Sequence, residues 1–126
     1  MIEVSEDEFQ ELINAALGEL PKKHVDNIKN VAILYQDEPT PEQRVQLELR
    51  HDQTLLGLYE GVPLSQRQGM TRILPDKITL FKSPLQNMVN SVNDLKEEIR
   101  HTLWHEIAHF YGLDHEMIQQ IEQDWK

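Results

Sequence analysis

The chain has 126 residues, no cysteine and a formal net charge of −10, with 39% hydrophobic and 27% charged residues. This length suits one domain with one core, and the absence of cysteine excludes disulfides and thiolate metal ligands. The negative charge repels phosphate backbones, so a nucleic-acid partner is not expected. No apolar stretch is long enough for a signal peptide or a membrane span. We therefore expect a single cytoplasmic domain over residues 1–126, without membrane association.

The first half of the chain predicts one helix and one strand. SEDE at 5–8 has the form of a capping box, and apolar residues follow it at helical spacing, which predicts a helix over about 6–19. VAILYQ at 31–36 is apolar and rich in β-forming residues, and predicts a buried strand. DEPTPEQR at 37–44 predicts a surface loop or a short helical turn.

The second half predicts two more strands and a long helix. TLLGLYEG at 54–61 indicates a second strand, and residues 62–76 indicate a long loop. KITLFK at 77–82 alternates in polarity and predicts a third strand. A helical segment follows, in one or two pieces, and its main part runs from Ser91 to the glycine at position 112.

The stretch HEIAHFYGLDH, which begins at His105, has the spacing of a metal site. His105 and His109 are four residues apart, so on a helix both imidazoles can reach one ion. A catalytic zinc takes three protein ligands. Gly112 can end the helix with a positive φ and turn the chain back, which would make His115 the third ligand. Glu106 would then point toward the water that the metal activates, as general base.

Chance does not explain this pattern, because its expectation in a chain of this composition is about 6 × 10⁻⁵. A metal site is therefore favoured over histidines that only form hydrogen bonds at the end of a helix. Glu116 and Glu122 remain rivals of His115 as third ligand. Asp114 is expected to cap a final helix. The remaining histidines are expected to be surface side chains without a role: His24, His51 and His101.

The histidine-containing stretch resembles the extended zincin signature HExxHxxGxxH, in which three histidines hold zinc and the glutamate is the base. Metzincins add a methionine-containing turn well downstream, whereas only eleven residues follow His115 here. The chain more closely resembles the small bacterial family of minimal zincin-like metallopeptidases. This resemblance is carried by LLGLYEGVPL at 55–64, LPDKITLFKSPL at 74–85 and WHEIAHFYGLDHE at 104–116.

The resemblance implies an α/β (α+β) fold, with a small three- to four-stranded mixed sheet packed against the active-site helix. It implies one Zn²⁺ per chain, held by His105, His109 and His115, with Glu106 as the catalytic residue and a peptide or protein as substrate. Larger zincins bind extended substrates along an edge strand, for which residues 77–82 are the candidate, although they also suit an internal strand. A partner protein is a candidate for completing the substrate cleft of so small a domain.

Two alternatives stay open. The pattern HxxxHxxGxDH, with Asp114 and His115, also resembles bacterial rRNA-maturation endoribonucleases, which usually lack a glutamate at the position of Glu106. The other alternative is a non-catalytic metal-binding or interaction module. Such a module would have a closed site, with Glu116 or Glu122 filling the fourth position beside three histidines.

Overall fold

The structure is a computed structural model that describes residues 1–25, 28, 31–49, 55–61, 76–113, 116–117 and 119–120. Its elements, in chain order, are α1 (Glu6–Glu19), α2 (Lys22–Val25), β1 (Val31–Gln36), α3 (Pro41–Gln46), β2 (Gly57–Glu60), β3 (Asp76–Phe81), α4 (Lys82–Asn87) and α5 (Val92–Tyr111). The first helix and first strand match their predicted bounds. The second strand is shorter than predicted, and the third lies one residue earlier. The helical segment predicted after it is present in two pieces, α4 and α5.

The three strands form one mixed sheet in the order β1-β3-β2. β3 pairs in parallel with β1 and antiparallel with β2, so that Ile78 lies between Ile33 and Tyr59. This arrangement confirms the predicted fold class. It also shows that the proposed substrate edge at 77–82 is wrong, because β3 has a strand on both sides. The outer edge of β2 pairs with no strand among the described residues.

One face of the sheet packs against α1 and α5. The side chains that fill this core are fully buried: Phe9, Ile13, Ile78, Leu80, Leu95, Ile99, Leu103, Trp104 and Ile107. Phe9 of α1 meets Tyr35 of β1 edge-on, with ring centroids 5.4 Å apart. The burial of these apolar side chains is the main force that brings the two helices onto the sheet. That residues 1–126 form one domain stays a prediction.

Helix α5 carries its start and stop signals in the local sequence. The Ser91 hydroxyl accepts a hydrogen bond from the backbone N–H of Asp94 at 3.1 Å, which caps the first turn. Gly112 adopts φ 79° at the other end, a left-handed conformation that terminates the helix as predicted. Within the described residues, no helix is both long enough and apolar enough to cross a membrane.

The β2 backbone lies directly against α5 at Gly57. A Cβ atom at this position would lie 2.7 Å from Cγ2 of Thr102 and 3.3 Å from Cγ of Glu106. The first distance is shorter than a van der Waals contact, so any larger residue would push the strand away from the helix. Gly57 therefore sets the separation between β2 and the helix that carries the histidines.

We expect Gly57→Ala to lower the free energy of unfolding by about 1–3 kcal/mol, because the added methyl group overpacks this contact. Gly18 is the matched control, since it lies on the exposed side of α1 with nothing within 4 Å of its Cβ position. Gly18→Ala should raise the free energy of unfolding by about 0.5–1 kcal/mol through helix propensity. Urea denaturation of both variants is the measurement, and two changes of the same sign would contradict the expectation.

Candidate metal centre

Three side chains of α5 place potential metal-ligand atoms close together. His105, Glu106 and His109 each offer a ligand atom, and these atoms lie within 4.8 Å of one another. The two imidazole ring centroids are 4.7 Å apart, as expected for residues one helical turn apart. In the part of the chain that the structure describes, this is the one group of three or more His, Asp or Glu residues close enough to share an ion.

The carboxylate of Glu106 is buried between α5 and β2. Its residue is 6% exposed, and Oε1 accepts a hydrogen bond from the backbone N–H of Tyr59 at 2.9 Å. Alternate residues of an edge strand turn their backbone groups away from the neighbouring strand, which leaves the Tyr59 N–H available. Nδ1 of His109 lies 3.5 Å from the same carboxylate oxygen.

Burial raises the pKa of Glu106 from 4.5 to about 7, while the hydrogen bond from Tyr59 acts in the opposite direction. A carboxylate with a pKa near neutrality can accept a proton and release it again at physiological pH, which is the property a general base needs. The imidazoles of His105 and His109, in contrast to the Glu106 carboxylate, are only partly buried. The candidate base is thus enclosed, while the candidate nitrogen ligands reach the surface.

Tyr59 is held in place through its side chain. Its hydroxyl donates a hydrogen bond to Oδ2 of the buried Asp76 at 2.7 Å, and its ring meets Phe110 of α5 edge-on at 6.1 Å. These two contacts fix the β2 residue whose N–H reaches Glu106. The sequence does not single out Tyr59, because a backbone donor leaves no signal in residue type.

A cavity of about 300 Å³ opens beside Glu106. Residues 55–57, which lead into β2, form one wall. The other wall comes from α5: His101, Thr102, His105 and Glu106. The cavity therefore borders directly on the candidate metal ligands and the candidate base.

The other residues singled out by the sequence have different positions. His115, Asp114 and Glu122 lie outside the described residues, so the third ligand stays a prediction. Glu116 is described and exposed, on a stretch of helical backbone that includes Met117. His101 is exposed, as expected.

The prediction that His24 is a surface side chain is wrong. It is half-buried, with its ring centroid 4.8 Å from that of Trp104. Its backbone carbonyl accepts a hydrogen bond from the Tyr111 hydroxyl. Burial lowers its pKa, with Lys23 acting in the same direction. Polar neighbours in the sequence suggested exposure, whereas packing against α5 decides the burial. His51 lies outside the described residues.

The donor set fits zinc. Zinc binds imidazole nitrogen and carboxylate oxygen readily, and the chain has no cysteine to offer. His105 and His109 are placed to be ligands, since their rings are adjacent and accessible. Glu106 is enclosed and accepts a hydrogen bond from Tyr59. This position suits a general base better than a metal ligand, because a ligand would have to turn toward the ion.

Comparison with known proteins agrees with this fold and cluster. A family model described as zincin-like metallopeptidase matches residues 28–125, and the chain belongs to this family. A solved structure, a conserved hypothetical protein from Thermus thermophilus, is similar with a TM-score of 0.55 at 20% identity. The match covers 83% of this chain and 92% of that chain, and shows the shared fold. No curated protein matches the chain.

The raised pKa of Glu106 predicts how stability depends on pH in the metal-free protein. The folded chain binds this proton more tightly than the unfolded chain, so the resulting stabilisation is complete below pH 4.5 and is lost as the pH rises through about 7. Glu106→Gln keeps the acceptor for Tyr59 but does not titrate. Between about pH 4.5 and pH 8, the free energy of unfolding of the wild type should therefore fall by about 3 kcal/mol relative to that of the variant. Denaturation of both metal-free proteins across this range measures the difference, and a constant difference would refute a buried titrating carboxylate.

Proposed function

We propose that this chain is a zinc-dependent peptidase, in which His105, His109 and His115 hold one Zn²⁺ and Glu106 is the general base. The observation that carries the proposal is the buried Glu106 carboxylate, with a pKa of about 7, beside two imidazoles at ligand spacing. Membership of the zincin-like metallopeptidase family supports the same reaction class. A structural helix end would not need a carboxylate enclosed at this cost in desolvation.

A zinc ion at this site would supply Lewis acidity, which lowers the pKa of a water molecule and polarises a peptide carbonyl. The protein's part is proton transfer. Tyr59 holds Oε1 of Glu106, which leaves Oε2 to accept the proton of the attacking water and deliver it to the leaving amine nitrogen. Because the Tyr59 N–H is fixed by the sheet, the carboxylate stays oriented through both transfers.

The substrate in this proposal is a peptide or protein segment in extended form. Glu106 lies beside the outer edge of β2, because it bonds the Tyr59 N–H, which points outward from that edge. Backbone groups of every second residue of a strand point to the same edge, so those of Gly57 point outward as well. A peptide added beside Gly57 would pass the candidate base. We include in the proposal a partner protein that completes the cleft opposite this edge.

Glu106→Gln should reduce peptide hydrolysis by about 10²–10⁴-fold, the usual contribution of a general base, and should leave the zinc content at one per chain. The measurement is digestion of a pool of unfolded polypeptides by zinc-loaded protein, read by mass spectrometry, with elemental analysis of the same samples. Unchanged turnover in the variant would exclude Glu106 as the base.

His109→Ala should remove the bound zinc, because a site with one fewer imidazole loses most of its affinity. His101→Ala is the matched control, since it replaces an exposed histidine of the same helix and should keep one zinc per chain. The third ligand is decided by comparing His115→Ala with Glu116→Ala and Glu122→Ala, of which only the first should lose zinc. Full zinc content in both His109→Ala and His115→Ala would contradict the proposed ligand set.

A further inference from the structure

We propose that a second cavity, at the carboxyl ends of β1 and β3, binds an arginine side chain of a partner polypeptide together with a neighbouring backbone carbonyl. This cavity has a volume of about 450 Å³ and is lined by the start of the chain, by the residues after β1 and by α4. It contains none of the candidate metal ligands, so binding here does not depend on zinc or on the proposed peptidase function.

The cavity lies where two parallel strands end side by side. Gln36 is paired with Phe81, so β1 and β3 end at the same level, and the chain continues from them into Asp37 and Lys82. The backbone N–H of Ser83 donates a hydrogen bond to the carbonyl oxygen of Asp37 at 2.9 Å, which holds the two continuations together. In open sheets with parallel strands, ligands bind in crevices outside the carboxyl ends of the strands.

A buried amide in the cavity lining has a donor that the protein does not use. Gln86 is 6% exposed, and its Oε1 accepts a hydrogen bond from the backbone N–H of Val4 at 2.8 Å. Because Val4 offers a donor, the oxygen must face it, and the Gln86 amide nitrogen donates to no acceptor among the described residues. A buried donor without an acceptor is costly. The amide of Gln86 therefore indicates a ligand that brings a carbonyl oxygen into the cavity.

The charged side chains of the cavity are predominantly acidic. Three carboxylates line it, from Glu3, Asp37 and Glu38, with a single ammonium group, from Lys82. None of these four groups forms an ion pair with a described residue. The excess of negative charge attracts a cation. Within the described chain, however, these three carboxylates are not close enough together to share a metal ion. The cation they suit has donors spread over a larger group.

An arginine side chain has this chemistry. Its guanidinium is planar, always charged and carries N–H donors that point in several directions, so it can bond separated carboxylates at once. A lysine ammonium is compact and reaches fewer of them. The backbone beside the arginine provides the carbonyl oxygen for Gln86. The net charge of −10 on the chain favours the approach of such a basic segment.

The first test compares cations of different shape. The full metal-free chain is titrated with the N-acetyl amides of arginine, lysine and citrulline, and the side-chain amide signal of Gln86 is followed by NMR. Citrulline replaces the guanidinium with a neutral group of the same shape. The arginine amide should bind about tenfold more tightly than the citrulline amide, and more tightly than the lysine amide, and should shift the Gln86 signal. Equal binding of the three amides, no shift at Gln86, or no binding would overturn the proposal.

The role of the carbonyl is tested with butylguanidine, which keeps the cation but has no acceptor for Gln86. It should bind less tightly than the arginine amide and shift the Gln86 signal less. Binding and shifts equal to those of the arginine amide would show that Gln86 does not recognise the ligand. Calcium chloride at the same concentration should leave the Gln86 signal in place, and calcium binding there would assign the carboxylates to a metal ion instead.

Variants of the carboxylates locate the site. Asp37→Asn combined with Glu38→Gln should weaken binding of the arginine amide by about tenfold, because two ion pairs are lost. Glu11→Gln combined with Glu98→Gln is the matched control, since it removes the same charge from two residues that do not line the cavity, and it should leave binding unchanged. The NMR spectra show whether each variant is folded. Equal weakening in both double variants would mean a general attraction to the acidic chain and would refute a site in this cavity.

Discussion

The candidate site depends on one hydrogen bond, from the backbone N–H of Tyr59 to Oε1 of Glu106. A carboxylate removed from water is costly, and a donor from the protein offsets part of that cost. For the donor to reach it, β2 must approach α5 closely, and Gly57 allows this approach by lacking a side chain. The hydrogen bond from the Tyr59 hydroxyl to the buried Asp76 then fixes the strand near its other end.

The two kinds of candidate site residue are placed in contrasting surroundings on the same helix. Glu106 points into the contact between helix and sheet, where burial favours its protonated form. His105 and His109 stand at the border of the core and remain partly accessible. Successive residues of a helix are rotated by about 100° around its axis. This rotation is sufficient for Glu106 to be enclosed while its neighbour His105 remains accessible.

Helix α5 serves both the fold and the site. Its buried residues Leu103, Trp104 and Ile107 lie in the main core. The candidate ligand His105 lies between these residues in the sequence, and His109 follows them. A helix anchored in this way cannot shift without disturbing the core, so the spacing of the imidazoles is rigidly maintained. Family membership supports the proposed peptide hydrolysis, and the enclosed carboxylate is the feature of this chain that favours the proposed catalysis over a non-catalytic metal-binding module.

The sequence by itself determined the features that depend on neighbours along the chain. Spacings of four residues or fewer, or local apolar patterns, predict three of these features. They are the capping serine and terminal glycine of α5, the bounds of α1 and β1, and the neighbouring imidazoles of His105 and His109. Only the tertiary structure decided that β3 is central, that His24 packs against Trp104, and that Tyr59 is the partner of Glu106. These contacts join residues far apart in the chain, and the last uses a backbone group that every residue except proline possesses. No pattern of side chains in the sequence predicts such a contact, because it depends on where the folded strand meets the helix.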